Sequence, residues 1–184
     1  MITSMNNSDN IAEFFICLSS LEGKTGQLYE DLSKKTDDTS IKSKFLKISS
    51  DSKKHASILK EIAKTVGNPQ FELKECRRKL SLIFKTIEAI SIYISKKEKI
   101  TSEDLKALVS ALEGSTGEEQ FMSNQAKTFQ FMSKQISQLY SVDLHKYNKP
   151  LGKIVQDEEN HRQMLDQIRE LLERKIASSN SPVP

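Results

Sequence analysis

Apolar residues recur along this chain in steps of three and four, the repeat of an α-helix with one face buried. The first stripe is Ile11, Phe14, Leu18, Leu21, Thr25, Leu28 and Leu32, and Phe15, Glu22 and Tyr29 follow its flank at intervals of seven. Asn10 and Glu13 have the spacing of a capping box, which sets the helix start there and leaves residues 1–9 as a flexible N-terminus. The turn-forming cluster Thr36-Asp37-Asp38-Thr39-Ser40 ends this helix. A second helix carries Ile41, Phe45, Ile48, Ser52, His55, Leu59, Ile62 and Val66 on one face and stops at Gly67 and Pro69.

Leu80, Ile83, Ile87, Ile90 and Ile94 keep the same rhythm and predict a third helix over about residues 73–97, with no inward charge. Thr101 and Asp104 form a capping-box variant ahead of a fourth helix that opens with Leu105, Leu108, Val109 and Leu112 and runs past Glu113. The apolar and aromatic segment from Phe129 to Tyr140 reads as a separate helical turn or a bent continuation, followed by a loop to Lys149. Pro150 is placed to start a last helix with Leu151, Ile154, Leu165, Ile168 and Leu172 on one face, ending near Ala177. Residues 178–184 are expected as a disordered tail. No alternating strand pattern and no glycine-rich phosphate loop occurs, so the expected fold is all-α, one helical domain over residues 10–177.

Glu158 and His161 break the apolar face of the last helix, taking the two positions that would continue its series. A carboxylate and an imidazole facing a core need either a hydrogen-bonded network or a metal ion, because burying them unpaired costs several kcal/mol, roughly. The pair belongs to an internal repeat. Lys47, Ile48, Asp51, His55, Leu59 and Ile62 match Lys153, Ile154, Asp157, His161, Leu165 and Ile168 at identical spacing, and LEGKTG from Leu21 matches LEGSTG from Leu112. Two helical hairpins of common design follow. The midpoint between Glu22 and Ser52 is Asp37, inside the predicted turn, so Glu22 and His55 should be neighbours. In the second hairpin Glu113 pairs with Glu158, and 15 extra residues must be absorbed between residues 129 and 149. Gly23, Gly26, Gly114 and Gly117 lie beside Glu22 and Glu113, which implies close helix approach or local distortion there.

Composition narrows the function classes. At 184 residues, 36% hydrophobic and 29% charged, the chain suits one soluble domain with an ample core. Its net charge of +3 is spread over helix faces rather than gathered in a basic arm, which disfavours nucleic-acid binding. No apolar run approaches the ~20 residues of a membrane span, and the N-terminus lacks a cleavable apolar segment, so no membrane partner and a cytoplasmic location are expected. Cys17 and Cys76 are isolated, which indicates neither a disulfide framework nor a cysteine metal knuckle; both are expected as buried small hydrophobes.

The combination of Glu22, His55, Glu113, Glu158 and His161 across two hairpins resembles the ferritin-like superfamily, and most closely its rubrerythrin group. The resemblance covers both hairpins but not the third helix. It implies a four-helix bundle of two helical hairpins with an additional helix in the crossover, and a metal site holding two iron ions. On that pattern the ligands are Glu22, His55, Glu113, Glu158 and His161, while Ser52 stands where a bridging glutamate belongs. Five ligands suit an asymmetric dinuclear site or a mononuclear one, with iron, manganese or zinc as candidate metals. Glu119 occupies the inward position matching Leu28 and is a supplementary ligand candidate; Asp51 is one residue out of phase with the stripe. Tyr29 corresponds to a tyrosine beside the family's metals. His145 is expected in solvent, and Phe129, Phe131 and Met132 as core or a dimer contact.

What the resemblance implies is a non-haem iron or manganese protein reacting with peroxide or dioxygen, a di-iron oxidoreductase or peroxidase assembled as a homodimer. With no paired-cysteine unit in the chain, the electron donor would be a separate partner. Two alternatives keep the fold: an iron carrier or storage protein without turnover, and a metal-free interaction scaffold with a vestigial site.

Overall fold

A computed structural model describes residues 7–67, 72–113, 117–140 and 143–179. Among them every regular element is helical: α1 (Asn7–Lys35), α2 (Thr39–Val66), α3 (Leu73–Lys79), α4 (Ser81–Ser95), α5 (Ser102–Glu113), α6 (Glu118–Tyr140), a short 3-10 turn (His145–Tyr147) and α7 (Asn148–Ser179). The chain is all-α.

Local chemistry explains most boundaries. Asp38 caps α2, its carboxylate accepting from the amides of Ser40 and Ile41 at 2.9 Å each. The capping box at α5 forms in both directions, with Thr101 N donating to Asp104 at 3.3 Å and Asp104 N donating to Thr101 Oγ1 at 3.1 Å. Asn10 is not a cap, because α1 already begins at Asn7; Glu13 accepts instead from Lys79 Nζ at 2.6 Å. The predicted third helix is two, divided at Leu80, whose backbone (φ −114°, ψ 34°) turns the chain. Pro150 falls in the first turn of α7, where its missing N–H has no helical partner to lose.

The segment from Phe129 to Tyr140 continues α6 without a break, so the 15 extra residues mostly lengthen a helix. Phe129 stacks on Phe15 with ring centroids 4.2 Å apart and fastens α6 to α1. Phe131 is 82% exposed and takes no part in the core; the side chain of Met132 lies outside the described residues. His145 is exposed, as expected.

α1 and α2 pack along each other, α5 and α6 both pack along α7, and α2 meets α7. α3 and α4 lie against the outside of α1 and carry the chain from one helical pair to the other. The inward face of α2 is the predicted one, from Ile41 to Val66 with Ser52 and His55 included, and so is that of α7 from Leu151 to Leu172. On α1 the flank matters more than expected. Phe15, Glu22 and Tyr29 are fully buried, whereas Ile11 and Phe14 are only partly so.

One expectation fails. Cys17 and Cys76 are joined as a disulfide, with Cα atoms 4.9 Å apart across a separation of 59 residues. Sequence spacing could not reveal this, because the pairing depends on α3 folding back onto α1. Both cysteines are buried, so the bridge is a staple under the crossover rather than an exposed thiol pair. Such bridges are commoner in oxidising compartments than in the cytosol, which weighs against the cytoplasmic expectation. No helix among the described residues is long and apolar enough to cross a membrane.

Candidate metal centre

Three helices converge on one buried cluster. α1 contributes Glu22, α2 contributes His55, and α7 contributes Glu158 and His161, none of them more than 2% exposed. Glu22 and His55 are neighbours as the hairpin register requires: His55 Nδ1 lies 3.1 Å from Glu22 Oε1. The same nitrogen lies 2.9 Å from Glu158 Oε1, so one ring atom faces two carboxylates. Glu22, His55 and Glu158 each offer a ligand atom, all within 4.8 Å of one another, a group able to hold a metal ion. His161 Nδ1 faces the other oxygen of Glu158 at 3.7 Å, and the two imidazoles lie 6.0 Å apart.

The outer nitrogen of each ring meets an aspartate from the opposite half of the repeat. His55 Nε2 lies 3.4 Å from Asp157 Oδ2 on α7, and His161 Nε2 lies 3.4 Å from Asp51 Oδ2 on α2. Lysines hold the aspartates in turn: Lys47 and Lys54 on Asp51, and Lys153 on Asp157 at 2.7 Å. The repeated Lys-x-x-x-Asp-x-x-x-His unit is therefore a crossed device, in which each helix supplies the acid that orients the other helix's imidazole. Sequence reasoning set Asp51 aside as out of phase and gave Asp157 no role. The matching positions in the repeat were the signal that could have found both.

α6 adds two carboxyls. Glu118 and Glu119, its first residues, are 3% and 2% exposed, and Glu119 Oε1 accepts from the Tyr29 hydroxyl at 2.6 Å. Glu119 is thus buried where the repeat placed it, and Glu118 was not anticipated. The Glu113 side chain, the predicted ligand from this part of the chain, lies outside the described residues. Gly26 has a reason: a Cβ there would meet Lys53 Cγ at 2.9 Å and the Ser49 carbonyl at 3.1 Å, so α1 and α2 could not approach as closely. Gly23 is not crowded.

Burial drives the electrostatics. It pushes the Glu22 carboxyl up to about 7, with the Glu158 charge adding and the His55 hydrogen bond opposing. It also raises Glu119 to about 7 against the hydrogen bond from Tyr29. Glu118 stands well above the usual carboxylate range through burial and the charges of Glu22, Glu158 and Glu119. Burial opposes protonation of His55, yet its contacts with Glu158 and Glu22 raise it to about 10. His161 is raised as well, against its burial, mainly by Glu158. The Tyr29 hydroxyl is held well above its ordinary value by burial and by Glu119.

Several buried polar atoms have no well-aligned hydrogen-bond partner: Glu22 Oε2, Glu118 Oε1, both oxygens of Glu158, Thr25 Oγ1 and His161 Nδ1. Burying such atoms unsatisfied costs roughly 1–3 kcal/mol each, and more for a charged group. These six are on the cluster or beside it, and all can donate a lone pair; a seventh such atom, Asn148 Oδ1, is on the first residue of α7. Comparison with known protein families, curated proteins and solved structures finds no match to this chain.

Proposed function

We propose that the chain is a ferritin-like metal protein of the rubrerythrin type, holding iron or manganese in the buried cluster and acting on peroxide or dioxygen. The observation that carries this reading is the posture of the imidazoles. Both turn Nδ1 toward Glu158 and Nε2 toward an aspartate. Where the ring proton sits at Nε2, Nδ1 presents a lone pair to carboxylate oxygens, an arrangement that repels unless a metal ion or a second proton lies between them.

Charge supports the same reading. Asp51 and Asp157 are matched by lysines, but among the described residues Glu22, Glu118, Glu119 and Glu158 have no basic partner beyond the two histidines. Carboxylate oxygen with imidazole nitrogen suits iron, manganese or zinc. Glu22, His55 and Glu158 would hold the ion, with His161 and Glu118 as further donors. Glu158 faces both histidines and would be the donor that the two halves share.

A redox metal bound here would supply electron transfer to the oxidant and Lewis-acid activation. The chain's own residues do the rest. Asp51 and Asp157 hold the imidazoles in the ligating tautomer, the Tyr29 hydroxyl donates to Glu119 and favours its charged form, and the apolar side chains of α1, α2 and α7 exclude bulk water. The reductant would be a separate protein. Protein purified without chelator should contain roughly one or more equivalents of iron or manganese per chain. Less than about a tenth of an equivalent, unrecovered on reconstitution, overturns the reading.

One observation favours the metal-free scaffold. A protonated His55 between Glu22 and Glu158, with its pKa raised to about 10, forms an internal ion pair without any metal. Nitrogen-15 shifts separate the two readings, since a scaffold keeps an imidazolium at pH 8, roughly, in the presence of excess metal.

A further inference from the structure

The cluster is sealed on every described side, with Glu22 and Glu158 at 0% exposure and His55 at 2%. A metal ion that occupies it must have a way in. Between α6 and α7 a pocket of about 150 Å³ opens, lined by Gly117, Glu119, Gln120, Arg162, Asp166 and Arg169. Its rim residues Gln120, Arg162 and Asp166 are exposed, while Gly117 and Glu119 are buried. Glu119 therefore belongs both to the pocket floor and to the buried acids, and the charges of Glu158 and His161 are felt at its carboxyl. Other surface pockets, around Ile16 and Lys60 or between Lys24 and Ile92, are lined by none of the buried acids.

A bond closes the rim. Arg162 Nη1 donates to Gln120 Oε1 at 2.8 Å, tying α7 to α6 at residues that directly follow His161 and Glu119 in the chain. The guanidinium is also steadied by Glu159 at 3.2 Å. A fixed positive charge over a cluster of acids repels a cation approaching from solvent and equally one trying to leave.

Resting on the metal-site reading above, we propose that this pocket is the port through which a divalent cation enters and leaves the cluster. Glu119 is the first carboxylate the cation meets, and Arg162 with Gln120 is the closure. The closure sets exchange rates and not affinity, because it touches neither Glu22, His55 nor Glu158.

The test is stopped-flow loading of the metal-free full chain with Co²⁺, followed by visible absorbance, and extraction of the bound ion by EDTA. Arg162→Ala should accelerate both processes by about tenfold and leave the dissociation constant within about twofold. Gln120→Ala, which cuts the bond but keeps the charge, should accelerate both by less. Arg78→Ala, an exposed change on α3, should alter neither. Loading by the wild-type chain with rates unmoved in Arg162→Ala overturns the port and leaves the metal site standing. Acceleration of loading alone, with the affinity changed to match, also overturns it, since Arg162 would then act on the bound state. No Co²⁺ binding by the wild-type chain overturns both readings.

Discussion

The Glu-x-x-His pair of one histidine helix differs from its counterpart on the other at one position, and the difference shows how the cluster is built. α7 carries Glu158 and His161 three residues apart, whereas α2 carries Ser52 and His55 at the same spacing. If each helix supplied its own carboxylate to its own imidazole, the α2 half would be empty. Instead Glu158 lies closer to His55 across the bundle, at 2.9 Å, than to His161 on its own helix, at 3.7 Å. The aspartates cross in the same way. The halves are therefore one site, in which α2 brings no glutamate of its own and His55 meets Glu158 from α7 and Glu22 from α1.

Removing the shared residue should have the largest effect. Glu158→Ala takes the only carboxylate among the described residues in contact with both histidines, so metal binding measured by titration calorimetry should disappear. Retention of near-normal affinity would mean that α1 and α6 suffice and that sharing is incidental. The next contrast is mechanical, since the disulfide staples only the α1 side of the molecule. Closing a loop of 59 residues stabilises a fold by about 4 kcal/mol in the chain-entropy account, so Cys17→Ala with Cys76→Ala should lower the unfolding free energy in urea by that order. An unchanged midpoint would show that the helices already hold α3 in place.

A smaller effect tests the crossing directly. Asp157→Asn should release His55 on α2, and Asp51→Asn should release His161 on α7, each weakening metal affinity by roughly 10- to 100-fold. Histidine proton resonances report which ring is disturbed. Disturbance of the ring on the same helix as the mutation would refute the crossed arrangement. Smallest, and present only without metal, is a pH slope. Glu22 and Glu119 are raised from 4.5 to about 7, so their protonated forms contribute stability that is fully present below 4.5 and lost as pH rises through 7. His55, raised from 6.5 to about 10, acts in the same sense at higher pH. The melting temperature of metal-free protein should therefore fall from pH 5 toward pH 8, roughly, while the metal-loaded protein resists that fall because metal takes the place of the protons. Parallel curves would argue that no metal occupies the cluster.

Much of this was legible in the residues. The buried faces of α2 and α7, the Asp38 turn, the Thr101 capping box and the closeness of Glu22 to His55 all follow from periodicity, cap chemistry and hairpin register, which act over a few helical turns. The division at Leu80 and the unbroken α6 were not legible, because an apolar rhythm continues through a bend and through either version of a connection. Glu118 was not legible because the repeat aligns it with Gln27, an exposed position of α1, whereas α6 starts afresh at Glu118 and places it inward.

The sequence by itself determined the inward faces of α2 and α7 and the doubling of the Lys-Asp-His unit, since both are properties of spacing along single helices. Tertiary structure alone decided which carboxylate serves which imidazole, that Asp51 and Asp157 cross between halves, and that Cys17 meets Cys76. These depend on the relative placement of helices far apart in the chain, and helical periodicity says nothing of that: it sets the face a side chain points from, and packing sets what it finds there.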